Sequence, residues 1–272
     1  MLRFLLKESG RWALALLGAL AIAVAVAAMA RRGQRFDLAL GRHVLAFLRL
    51  DFGTSALTGA EAAAEIAVRG PVTLRIVLLG SLIAALLGVP LGLLLGTGRL
   101  RRATAPLVQT VSSAPVFCAG LALAFAARRL GFAVQGEWGP LLLPALTVGL
   151  AGAAAIQATM RSAAASYHDA PFRAGLRRLG LPALEIERVH VVPQIFASLL
   201  RALGEIMLTL LSAAVVSEWV FGQHGIADLF VHSLALQDWN MAAPIVFVFA
   251  AATLTAGFVG RLCCRLVAGT EP

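Results

Sequence analysis

Apolar residues in this chain come in long unbroken runs, not in the periodic stripes of a helix half-buried in a water-soluble core. Five stretches, 12–30, 76–98, 103–127, 139–160 and 241–260, are long enough to cross a hydrocarbon layer of about 30 Å at about 1.5 Å per residue. A sixth, 199–221, carries Glu205 and Glu218 but is otherwise apolar. The pattern predicts an all-α polytopic membrane protein: six transmembrane helices in one transmembrane domain over 1–272, with both termini on one side. The alternating ten-residue segments of a membrane barrel are absent from the sequence. The first run, behind Arg3, Lys7 and Arg11, is longer than a signal-peptide core and reads as an uncleaved first helix. In the loop that follows it, apolar Leu38, Val44, Leu45, Leu48 and Leu50 interleave with Arg42, His43 and Arg49, which predicts a short helix along the interface. No internal repeat is evident.

Between the fourth and fifth runs, about 161–198, lies a polar loop. From Arg161 to Arg201 it holds six arginines against Asp169, Glu185 and Glu187. A basic loop between spans belongs on the cytoplasmic side. With the N-terminus inside, fourteen of the 23 basic residues fall on cytoplasmic segments, and the 222–240 loop opposite has none. Arg31, Arg32 and Arg35, directly after the first run, oppose that assignment, but the total favours a cytoplasmic N-terminus.

Composition agrees with the pattern: 60% of residues are hydrophobic and 14% charged. Aromatics do not cluster among the basic residues, which excludes nucleic acid as a partner and leaves membrane lipid headgroups for the arginines. Cys118, Cys263 and Cys264 form no Cys-x-x-Cys and read as small core residues. The chain has no phosphate-binding Gly-x4-Gly-Lys-Ser/Thr loop, so ATP hydrolysis is not its own, and it has no His-Glu-x-x-His or Gly-x-Ser-x-Gly.

Some residues carry more than one reading. Gly88, Gly92 and Gly96 around Pro90 fit close helix packing with a bend. Glu205, four residues after Arg201, reads as half of an intrahelical pair near the inner interface. Glu218 near the outer end reads equally as a gate residue and as a structural acid. His224, Asp228 and His232 at i, i+4 and i+8 would share a helix face, as a surface stripe or, less commonly, as metal ligands. An outer-loop membrane enzyme built on those three, or a stand-alone secondary transporter, would be the rival classes.

A series of short motifs runs in order along the chain: Asp51-Phe52-Gly53-Thr54-Ser55; Pro71-x-Thr73-Leu74; Gly88-x-Pro90-x-Gly92; Ser113-x-Pro115-x-Phe117-x-x-Gly120; Leu143-Pro144-Ala145-Leu146-Thr147; Val215-Val216-Ser217-Glu218-Trp219-Val220-Phe221; Gly225-Ile226; and Gln237-Asp238-Trp239. Together they resemble the inner-membrane permease subunits of binding-protein-dependent ABC importers, most like the B-type subunit of the dipeptide/oligopeptide/nickel branch.

The resemblance implies a type I importer permease fold in a bacterial cytoplasmic membrane. A second, homologous permease, two ATPase subunits and an extracytoplasmic substrate-binding protein would be its partners. This chain would bind no cofactor, and ATP would be used by the partner subunits. The family's cytoplasmic docking helix, aligned on Gly180, falls on Ala174, Gly175 and Leu176, with its tail on His190, Val192 and Pro193. Ala174 replaces the acidic residue or arginine that usually opens the motif, and Pro171 and Pro182 punctuate the helix, which implies altered docking. Pro90, Ser113, Pro115 and Glu218 become the pathway or gate candidates, and peptides, nickel, a metal chelate or another small solute the possible cargo.

Overall fold

The computed structural model describes residues 2–29, 51–55, 57–96, 115–129, 139–168 and 170–268. Its helices are α1 (Leu2–Met29), α2 (Ala62–Gly96), α3 (Val116–Arg129), α4 (Gly139–His168), α5 (Pro171–Arg178), α6 (Val192–Arg201), α7 (Leu203–Phe221), α8 (Ile226–Ala235) and α9 (Trp239–Ala268). A three-residue turn, Ala183–Glu185, and a π-helical segment, Ile186–Val191, lead into α6. Five of the described helices, α1, α2, α4, α7 and α9, are long and apolar enough to cross a membrane. The third predicted span, 103–127, is described only as the 14-residue α3. The interface helix expected within 38–50, and Ser113, lie outside the described residues.

Large apolar side chains point outward: Leu74, Leu78, Leu82 and Leu86 form an exposed row along α2. Such a row is costly in water and costs nothing against lipid tails or a neighbouring apolar helix. Small residues hold the inside together instead. A Cβ on Gly88 would lie 2.8 Å from the Ala153 carbonyl oxygen, one on Gly92 2.8 Å from Met160 Cβ, and one on Gly149 2.6 Å from Ile83 Cγ2. The glycines on α2 therefore set how closely α4 approaches, and the contact order shows the two helices running parallel. Pro71 and Pro90 both sit inside α2, which continues through them.

Two predicted boundaries were wrong. Helix α2 begins at Ala62, not near position 76, absorbing what read as outer loop. The 199–221 span is not one rod: α6 ends at Arg201 and α7 begins at Leu203, with Ala202 at φ −87°, ψ 2° between them. The break lies where backbones crowd: a Cβ on Gly204 would come 3.2 Å from Gly257 Cα on α9. The same break removes the expected Arg201–Glu205 pair. Arg201 donates to Cys264 Sγ at 3.3 Å and Ser198 Oγ at 3.0 Å.

Helices α1 and α9 pack antiparallel, with Glu8 bonded to Arg261 and the Trp12 and Phe258 rings in tilted contact. Helix α6 meets α9 through Arg201 and Cys264. The start of α1, helices α5 and α6, and the end of α9 therefore share one end of the bundle. The Asp51–Ser55 turn, helix α8 and the start of α9 lie at the other.

Candidate functional site

Helix α5 is short and amphipathic, and both ends are locally determined. Pro171 occupies its first turn, where a missing N–H costs nothing. At the other end Gly180 takes φ +84°, a left-handed conformation suited to glycine. Leu181 N–H then bonds Leu176 C=O at 3.2 Å and Gly180 N–H bonds Arg177 C=O at 3.0 Å. These two bonds make a Schellman turn, and Leu176 and Leu181, both packed on the main core, supply its apolar contact. The expectation that Gly180 lets the chain turn sharply agrees with this geometry.

The inner face of α5 is held by one ion pair. Arg173 is buried, and its Nη2 lies 2.5 Å from Glu187 Oε1 on the π-helical segment. A buried guanidinium needs such a partner, so the pair fixes α5 against the chain leading to α6. Pro193 stands at the start of α6, directly after the π-helical turn. A proline there has no N–H to give the preceding turn and its ring pushes that turn open, which a π-helical segment accommodates. His190 lies half-buried on this segment and Pro193 is exposed.

The outer face is different in kind. Ala174, Gly175 and Gly180 are exposed, and a Cβ at Gly175 would meet nothing within 4 Å. Leu179 is 78% exposed, with Leu184 and Val189 also exposed nearby in sequence. Arg177 and Arg178 flank them. This surface is small, apolar and basic, and nothing among the described residues requires Gly175 to lack a side chain.

At the other end the sequence motifs meet in two polar clamps. Thr73 Oγ1 accepts Ile226 N–H at 2.8 Å, and Glu218 Oε2 accepts Asp228 N–H at 2.9 Å. Glu218 also bonds the Thr73 hydroxyl and Ala227 N–H. The wholly buried carboxylate thus satisfies the open N–H groups that begin α8. Gly225 leaves the room: a Cβ there would collide with both Glu218 and Thr73. Glu218 therefore joins α7, α8 and α2 inside this chain. In the second clamp the Ser55 hydroxyl donates to Asp238 Oδ2, while Asp238 Oδ1 accepts Met241 N–H at 3.3 Å at the start of α9. Asn240 Nδ2 donates to Thr54 C=O at 3.3 Å.

Other candidates fall elsewhere. Pro115 directly precedes α3, where its carbonyl accepts Cys118 N–H at 2.9 Å. Pro90 is exposed on α2. His224 precedes α8 and does not share its face as a third helical position; its Nδ1 lies 3.5 Å from Asp228 Oδ2, and His232 Nδ1 lies 3.2 Å from Asp228 Oδ1. Asp228 is buried between them, and the described residues contain no group of three with the geometry of a metal site. Between α2, α4, α6, α7 and α9 lies an apolar groove of about 690 Å³ whose polar side chains are Ser81 and Thr255.

Sequence reasoning missed Arg173, Glu187, Thr73, Ser55 and Asp238 as individual residues. Thr73 and Ile226 are 153 positions apart, and Ser55 and Asp238 183 apart, so no local spacing signals either contact.

The described helices form a polytopic α-helical bundle with a short exposed helix at one end and a capped turn at the other. The chain belongs to the family of binding-protein-dependent transport system inner membrane components, whose model matches residues 84–268. It is similar to the oligopeptide transport system permease protein OppB of Mycobacterium tuberculosis, at 28% identity over 82% of this chain and 79% of that protein. The peptide transport system permease protein SapB of Salmonella typhimurium is 24% identical over 79% of each chain. The glutathione transport system permease protein GsiC of Salmonella paratyphi A is 26% identical over 79% of this chain and 73% of that one. In fold it is similar to a chain of the MetNI methionine ABC transporter, solved in inward-facing conformations. The TM-score is 0.58 at 16% identity, covering 76% of this chain and 97% of that one.

Proposed function

We propose that this chain is one of two permease subunits of an ATP-driven importer for oligopeptides or a related small solute. It lies in a bacterial inner membrane with its N-terminus in the cytoplasm. An extracytoplasmic binding protein delivers the solute at the α8 end, and two ATPase subunits dock at the α5 end. The observation that carries this reading is α5 itself: fixed from within by the Arg173–Glu187 pair, yet presenting Ala174, Gly175 and Leu179 outward with open space over Gly175. A surface without side-chain bulk on a rigid helix is what a groove on another subunit needs for close approach.

Peptide-like cargo is favoured because the similar permeases carry oligopeptide, peptide and glutathione names. The apolar groove inside the chain is unsuited to a charged solute, so the pathway is completed against the second permease.

In this reading ATP binding draws the ATPases together and shifts α5. Glu187 carries that shift into the π-helical segment and α6, and α7 passes it to Glu218 and the start of α8. Work is transmitted only if the ATPases bind one position of α5 more tightly than the other. The test is reconstitution of the complex in liposomes. ATP hydrolysis should rise when the binding protein and its peptide are added, and peptide should accumulate only with ATP. Solute movement by this chain alone, without ATPase partners, would overturn the proposal.

A further inference from the structure

Two membrane-length helices of this chain turn different chemistry outward. On α2 the exposed row is Leu74, Leu78, Leu82 and Leu86, all hydrocarbon. On α7 the exposed positions are Glu205, Leu208, Ser212 and Trp219, with Thr209 and Val216 half-buried between them. At about 100° of turn per residue, these positions fall within an arc of about 100°. Ile206, Leu210, Ala214 and Ser217 are buried on the opposite side. From Glu205 to Trp219 the face runs about 21 Å along the axis, most of a hydrocarbon layer of about 30 Å. Thr209 donates its hydroxyl to the Glu205 carbonyl at 3.0 Å, so the polar groups turned outward are a carboxylate, the Ser212 hydroxyl and an indole.

Lipid tails solvate neither a carboxylate nor a hydroxyl, so this face is ill suited to the bilayer. It is also ill suited to close helix packing. The α2–α4 contact is built on Gly88, Gly92 and Gly149, whereas Leu208 and Trp219, 56% and 64% exposed, stand out on either side of Ser212. Water and a polar solute are the neighbours that fit such a face. We propose that this face of α7 is the chain's share of the solute pathway, and that Glu205 at its α6 end selects for solutes carrying positive charge, such as lysine-bearing peptides. Between low-dielectric walls the field of one carboxylate reaches further than in bulk water and concentrates cations along the path. Ser212, midway, offers peptide amides a hydrogen-bond partner, and Trp219 a flat apolar surface at the α8 end. The inference rests on the importer reading and adds that the permease, beside its binding protein, discriminates by charge.

The test uses the assembled complex in liposomes. In a chain carrying Cys118→Ala, Cys263→Ala and Cys264→Ala, Ser212→Cys should react with water-soluble methanethiosulfonates and Leu78→Cys should not. Relative to a free thiol in solution, Ser212→Cys should favour a trimethylammonium reagent over a sulfonate one. Adding Glu205→Gln should cut that preference about fivefold, and Glu205→Asp should keep it. With the natural cysteines in place and loaded binding protein in excess, uptake of a lysine-bearing tripeptide relative to its glutamate-bearing counterpart should fall by a similar factor in Glu205→Gln, while the ATPases stay bound. A Ser212→Cys thiol that is silent to the reagents would mean that lipid or protein covers the face, and would overturn the proposal. So would a charge preference that Glu205→Gln leaves unchanged. Thiol labelling needs no transport, so a natural complex that labels as expected yet imports no peptide would count against the importer reading alone.

Discussion

Gly175 is an exposed helical glycine with nothing among the described residues over it. Glycine lowers helix stability by about 1 kcal/mol relative to alanine, and no contact among the described residues offsets that cost at Gly175. Gly175→Leu should leave the purified chain as thermally stable as the natural one, while its association with ATPase subunits falls at least about tenfold, as expected when bulk is forced into a packed contact. A thermal melt beside a binding titration checks both halves. Glu218 is a different case, a buried acid whose Oε2 is bonded to the start of α8 while its Oε1 is buried without a hydrogen-bond partner among the described residues. Glu218→Leu removes the acceptor for the start of α8 and should destabilise the α8 end by about 2 kcal/mol, read as faster amide exchange in α8 than in α2. Unchanged exchange would mean that the carboxylate does not hold α8. Gly180 was legible in the sequence because its demand is local: a helix must stop there. The role of Glu218 was not, because it depends on Thr73 and Gly225 approaching it after folding.

At the scale of elements, the long apolar runs announced the spans but not where they end. Helix α2 starts at Ala62 because residues 62–70 continue the helix without needing an apolar run, and hydropathy alone does not mark that. The α6–α7 break was hidden for a related reason: it is set by Gly204 meeting Gly257 on a distant helix. Gly88 and Gly92 lie against α4 as the reading of small residues four apart expected. Gly88→Val should push α2 off α4 and cost about 1–3 kcal/mol, visible as a lower melting temperature in detergent. The link between α5 and the π-helical segment can be tested by exchange. Arg173→Glu should abolish ATP-driven transport, and Arg173→Glu/Glu187→Arg should recover part of it. If the double variant is no better than the single, the pair is not what joins the two elements.

For the molecule as a whole, one end carries the short exposed α5 and the other ties α2, α7, α8 and α9 together through buried polar contacts. The family resemblance of the motifs was visible because their order along the chain survives even where each is weak. Their meaning as two clamps, Asp51–Ser55 on Asp238 and Thr73 with Glu218 on α8, emerged only once the chain was folded. The central claim is that α5 is the surface through which ATPase subunits engage this chain. Affinity co-purification from native membranes, comparing the natural chain with Gly175→Leu, tests it most directly. The account predicts that the natural chain brings down a second permease and the ATPases, and that the variant keeps the permease but loses the ATPases. A variant that retains its ATPases in full, or a natural chain that purifies with no nucleotide-hydrolysing partner, would contradict it.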